Sequence, residues 1–178
     1  MPSGFGGQSQ QRWGDNTLNQ NEYMRDVQMV DTTGRVCATG DVRRKGSMIL
    51  LAFFRRESPE TSPLLGALQR LSDAYRESGK LTVWGVSPDD AETTAAFATS
   101  CGVKFPVLLD RDGYHAMTYG LTTFPTVYLA DAGGTVKRKT AGFRKSALGD
   151  ISSIVATTAG VDAVDLFSAR IEPGAAAV

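Results

Sequence analysis

Apolar residues along this chain gather into short runs separated by glycine, proline and charge, and the period of each run predicts an element. VQMV, the turn DTTG and RVCA form two short apolar stretches around a glycine, which predicts a hairpin because Gly34 supplies the backbone freedom a tight turn needs. SMILLAFF, residues 47–54, has no polar alternation. A run of that kind between Gly46 and the charged RRE reads as a strand buried on both faces. In SPLLGALQRLSDAYRESG, Leu64, Leu65, Leu68, Leu71 and Tyr75 recur at helical spacing before Gly79, predicting an amphipathic helix. LTVWGV, residues 81–86, is a second buried strand. SPDDAETTAAFATSCG has serine and aspartates at its start and Gly102 at its end, the marks of a capped helix.

FPVLLD at 105–110 predicts a third strand and HAMTYGL a short helix. PTVYLAD at 125–131 is a fourth strand, joined through AGG to TVKRKT at 135–140, and a last helix runs from Lys145 to Thr158 before Gly160. The order is a hairpin, a βαβ unit, a third strand and a ββα ending. It calls for an α/β domain with a mixed central sheet flanked by helices, preceded by an N-terminal β-hairpin extension.

Residues 1–22 are rich in Gly, Gln and Asn, so they read as a flexible polar arm, and Phe5 and Trp13 within it and Tyr23 just after it are candidate anchors on a partner's surface. Residues 23–160 form the domain, and 161–178, with Leu166 and Phe167, read as an apolar tail able to dock on a partner. With 178 residues, 42% hydrophobic and 21% charged, one core accounts for the chain. The 19 basic and 19 acidic side chains cancel, which removes any global field toward nucleic acid or anionic lipid. The basic runs at 43–45 and 137–139 are short and read as a solvated turn and a charged edge strand. No apolar run approaches the roughly 20 residues that span a bilayer, and the first residues lack the features of a signal peptide. A cytoplasmic location, with peripheral membrane association at most, is therefore expected. The two cysteines, Cys37 and Cys101, match neither a disulfide framework nor a zinc spacing, and no metal or cofactor is expected.

Three stretches resemble a known group over residues 27–160. VQMVDTTGRVCATGDVRRKGSMILLAFF, GVSPDDAETTAAFATSCGVKFPVLLDRDGYHAMTYGL and TTFPTVYLADAGGTV are similar to the peroxiredoxin (AhpC/TSA) and TlpA-like proteins of the thioredoxin superfamily. The resemblance implies a thioredoxin-like three-layer sandwich with a cis-proline at Pro125. It also implies a W-C-x-x-C motif where the central strand meets the first long helix. Helix N–H groups and dipole lower a thiol's pKa there. This chain has FFRRESPET instead, which places Ser58, Pro59, Glu60 and Thr61 over the motif; a peroxiredoxin-style count places the nucleophile at Ser62. Neither alignment gives a sulfur. A serine has no accessible anion near neutral pH without a base and forms no disulfide.

Other chemistry is thinly represented. Cys37, in the hairpin, and Cys101, at the end of the second helix, are expected to sit away from the motif that would activate a thiol and read as inert; a divergent thiol peroxidase or oxidoreductase using either is the competing reading. His115, the lone histidine, has no G-x-S-x-G serine to serve. DRDG at 110–113 lacks the later ligands of a calcium loop. Arg55 and Arg56, before a helix start, form a candidate anion site. The sequence thus predicts a non-catalytic, protein-binding or structural subunit of a larger assembly, such as a respiratory or photosynthetic complex with a cytoplasmic face.

Overall fold

The computed structural model describes residues 18–168. Seven strands and five α-helices appear in chain order: β1 (Gln28–Val30), β2 (Val36–Ala38), α1 (Thr39–Arg44), β3 (Met48–Phe53), α2 (Thr61–Tyr75), β4 (Leu81–Ser87), α3 (Ala91–Ser100), β5 (Val107–Leu109), α4 (Tyr114–Thr118), β6 (Thr126–Ala130), β7 (Val136–Ala141) and α5 (Lys145–Ala159). A 3₁₀ turn at Arg76–Ser78 extends α2, and Gly79 then takes the left-handed conformation that ends it.

The main sheet has the order β5-β4-β3-β6-β7, with β3, β4 and β5 parallel and β6 and β7 antiparallel. β3 is therefore the middle strand, and every one of its six residues is buried, as an apolar run without alternation requires. Its side chains still alternate between two cores. Met48, Leu50 and Ala52 face Leu64, Leu68 and Leu71 of α2 and Leu148, Ile151 and Val155 of α5. Ile49, Leu51 and Phe53 face Met29 and Cys37 of the β1–β2 hairpin, Val42 of α1 and Tyr119 after α4. The result is a three-layer sandwich, as the family resemblance implies, with the mixed sheet and the two-stranded antiparallel hairpin that the hydrophobic pattern predicts.

Three local readings differ from the sequence expectation. The run at 43–45 is the end of helix α1 and the residue after it, not a free turn. Thr39 anchors that helix by accepting from Val27 N at 3.0 Å and donating its own N–H to Val27 O at 3.0 Å. Arg43 is largely buried there, bonded to Asp26 and to the Tyr23 hydroxyl. Residues 18–22, which composition places in the arm, are tied to the domain by Leu18 and by main-chain hydrogen bonds. Leu18 is buried, its carbonyl accepts from Tyr128 at 3.1 Å, and Asn21 and Glu22 bond Val136 across the start of the β7 edge. The remainder of the arm, with Phe5 and Trp13, lies outside the described residues.

The tail also folds back. Leu166 is buried in the α2–α5 core, Arg70 Nε donates to its carbonyl at 3.1 Å, and Val164 N donates to the Tyr75 hydroxyl at 3.1 Å. Leu166 consequently belongs to this domain's own core rather than to a partner-facing surface. Phe167 is half-buried, its ring against Phe143 at 6.1 Å with Arg70 and Lys145 above it.

Candidate functional site

The junction singled out by sequence lies where β3 delivers the chain to α2. Phe54 continues the buried run and donates its N–H to Val86 O at 3.0 Å, fixing the end of β3 against β4. The chain then turns outward through Arg55–Glu60. Ser58 N donates to Arg55 O, and Thr61 N to Ser58 O, each at 3.1 Å. These bonds give residues 55–61 two consecutive tight turns; Ser58, shared by both, is half-buried and precedes the first helical residue by three positions. Thr61 is fully buried and its hydroxyl donates to Arg55 O at 2.8 Å. That hydroxyl is a structural tie across the loop. Ser62, next along, is exposed in the first turn of α2.

Facing this loop, the Phe124–Pro125 peptide bond is cis. Pro125 O accepts Gly142 N at 2.7 Å, and Thr126 pairs with Phe53, which holds the proline beside the end of β3. Glu60 bridges the two sides: its Oε2 accepts Phe143 N at 2.6 Å. Gly142, at φ 76°, lets the backbone pass there, since a Cβ would lie 2.5 Å from the same oxygen.

Arg55 and Arg56 do not converge. The Arg55 guanidinium stacks 4.3 Å from the centre of the Phe124 ring, while Arg56 pairs with Asp89 at 3.1 Å and Glu57 at 3.7 Å. Between Phe54, Arg55, Ser87, Ala116 and Phe124 there is a cavity of about 50 Å³. Ligand pockets are roughly 300 Å³ or more, so this one has space for a water or two. DRDG proves to be a capping turn: the buried Asp110 carboxylate accepts His115 N at 3.0 Å and Ala116 N at 2.9 Å at the start of α4. His115 is half-buried in that helix with its ring edge on Tyr114. Among the described residues no group of three or more His, Cys, Asp and Glu side chains is placed to hold a metal, and no helix is long and apolar enough to cross a membrane.

The two thiols diverge in setting. Cys37 is buried under the hairpin; burial, and then the Asp31 carboxylate, push its pKa up. It is a poor nucleophile at neutral pH. Cys101 is the residue that caps the end of α3, is half-buried, and its Sγ lies 3.7 Å from Ser62 Oγ. The expectation that both cysteines sit away from the junction therefore fails for Cys101. Helix α3 lies close to the start of α2, with the Phe97 and Phe54 rings 5.9 Å apart. No local pattern in sequence announces that contact between residues 39 positions apart.

A five-stranded mixed sheet, a long helix springing from the end of its middle strand and a cis-proline facing that junction define a thioredoxin-fold protein. The chain belongs to the AhpC/TSA family, whose model matches residues 21–139. It is 30% identical over 124 residues to the thioredoxin-like protein YneN of Bacillus subtilis, an alignment covering 67% of this chain and 70% of that one. Among solved structures, the thioredoxin domain of a thiol-disulfide oxidoreductase from Bacteroides vulgatus superposes with a TM-score of 0.68 at 19% identity, covering 78% of this chain and 99% of that one. Peroxidoxin BcpB from Mycobacterium tuberculosis gives 0.66 at 19% identity over 82% of this chain and 99% of its own. These two likenesses bear on the fold alone.

Proposed function

We propose that this chain is a non-catalytic member of its family that serves as a protein-binding or structural subunit of a larger assembly. The observation that carries the reading is the junction itself: hydroxyls stand at 58, 61 and 62, and Thr61 is locked by a bond to Arg55 O. Without a thiolate there, neither dithiol exchange nor peroxide reduction can begin. Side chains beside the junction are engaged within the chain itself, with Glu60 bonded to Phe143 N and Arg55 laid over Phe124. Exposed apolar groups nearby on α4 support a contact role: Tyr114 is 55% and Met117 70% exposed, and Tyr23 on the hairpin side is 57% exposed. A host such as a respiratory or photosynthetic complex with a cytoplasmic face is part of the proposal. Purified gently from its source, the protein should elute with other subunits and show no turnover of peroxide or disulfide. A free, active monomer would reverse the reading.

The Cys101–Ser62 contact favours a second reading, a one-cysteine peroxidase or oxidoreductase that uses Cys101. The two thiols should separate clearly under iodoacetamide at pH 7, with Cys101 labelled first and Cys37 labelled only after unfolding. If Cys101 is also required for measurable peroxide consumption, abolished by Cys101→Ser, the second reading replaces the first.

A further inference from the structure

A cleft lies further along α2 from Ser62, where the helix ends beside the start of β4. β4 pairs with β3 from Leu81 to Val86 but with β5 only over Gly85–Ser87. The mismatch arises because β5 is three residues long and is led in by Pro106, which has no N–H to offer. Residues 81–84 thus have no strand partner on the β5 side. The gap forms a cleft of about 410 Å³, within the range of small-molecule sites.

Its lining side chains carry three positive charges. Arg35 from the hairpin turn, Arg76 from the end of α2 and Lys104 from the segment before β5 line it, with no carboxylate among the lining residues. Two acids bond residues of this lining. Asp73 pairs with Arg76 and accepts Gln69 Nε2 at 3.0 Å, and Asp31 accepts the main-chain N–H of Arg35 at 3.1 Å. Neither Arg35 nor Lys104 makes an ion pair among the described residues. Gln69, only 8% exposed, fixes the frame, its Oε1 accepting Lys104 N at 2.7 Å. The Lys104 main chain is thereby tied to α2, and Arg76 pairs with Asp73 one turn back on the same helix.

We propose that this cleft binds a small molecule bearing phosphate groups, with Arg35, Lys104 and Arg76 as its charge partners. Cations supplied by three elements along an uncovered strand edge suit a compact polyanion, since guanidinium and ammonium groups both bond phosphate oxygens strongly. The site is remote in sequence from Ser58–Thr61 and does not rest on the fate of that junction.

The test uses the full chain and inorganic pyrophosphate as probe, followed by calorimetry and by Trp84 fluorescence in a Trp13→Phe background, because Trp84 lines the cleft and the chain has two tryptophans. Saturable binding that weakens with added salt is expected, with a change in Trp84 emission. The Arg35→Gln/Lys104→Gln double variant should bind at least about tenfold more weakly, as loss of two charge-assisted contacts implies, with an unchanged melting temperature because both side chains are exposed. Lys45→Gln, at the end of α1, should bind like the parent. Absence of saturable binding overturns the proposal, as does equal weakening in Lys45→Gln or full affinity in the double variant.

Discussion

Ser62→Cys is expected to give, on mild oxidation, a chain in which residues 62 and 101 are joined by a disulfide. The two atoms that would bond are already neighbours, Cys101 Sγ lying 3.7 Å from Ser62 Oγ. A disulfide needs about 2.05 Å between sulfurs, a change within reach of side-chain rotation in an exposed first turn. The helix N-terminus favours a thiolate at residue 62. That thiolate would attack a small disulfide such as oxidised glutathione. Cys101 would then displace the second glutathione thiol, so two protein thiols are oxidised while one glutathione disulfide is reduced to two thiols. Thiol titration in denaturant should find three groups in the reduced variant and one, Cys37, after oxidation. Closing a loop between residues 39 apart should stabilise the folded chain by ~3–4 kcal/mol in the loop-entropy picture. Three titratable thiols after oxidation, or a dimer joined between chains, would show that the start of α2 and the end of α3 are not in contact.

Phe53→Ala should be the most damaging single truncation near the junction. Phe53 is the last residue of β3 and is 1% exposed. Its ring meets Tyr119 at 5.0 Å and Tyr128 at 6.4 Å, and those two rings lie 5.3 Å apart. The tyrosines in turn bond main-chain carbonyls of the N-terminal segment, Tyr119 to Arg25 O at 2.5 Å and Tyr128 to Leu18 O at 3.1 Å. Burial pushes the pKa of both phenols well above the ordinary tyrosine range, so they stay protonated donors. Removing the central ring leaves a cavity and costs about 3–5 kcal/mol, which lowers the melting temperature by roughly 10 °C or more in a domain of this size. A loss under about 1 kcal/mol, read from chemical denaturation with unchanged slope, would mean the cluster is not packed as described.

The architecture was legible because its signals are local. A run such as MILLAF, apolar at every position, has few homes other than the middle of a covered sheet, and Gly79, Gly102 and Gly160 mark helix ends. Helix α1 escaped notice because its six residues contain one glycine and only two inward side chains, Thr39 and Val42. Leu18 and Leu166 were assigned to extensions for a related reason. An apolar side chain far out along the sequence reads alike whether it will cover a partner or its own core. The junction is marked in the sequence by hydroxyls where the family likeness puts cysteines, and the cis geometry of Pro125 is implied by the same likeness. By contrast, the meeting of Cys101 with Ser62, the Glu60 bond to Phe143 N and the cleft under the short β5 are tertiary facts, which depend on how α3 and the 142–143 turn are carried across the sheet.

The proposal that this fold is kept without its thiol chemistry meets its most direct test in steady-state turnover by the purified, fully reduced chain. Hydrogen peroxide and a small disulfide are supplied as substrates, with a dithiol reductant as electron source. The hydroxyls at 58, 61 and 62 predict rates indistinguishable from those of the reductant alone, and the same rates in Cys101→Ser. Multiple turnovers that vanish in Cys101→Ser would contradict the proposal and place the chemistry on the thiol beside Ser62.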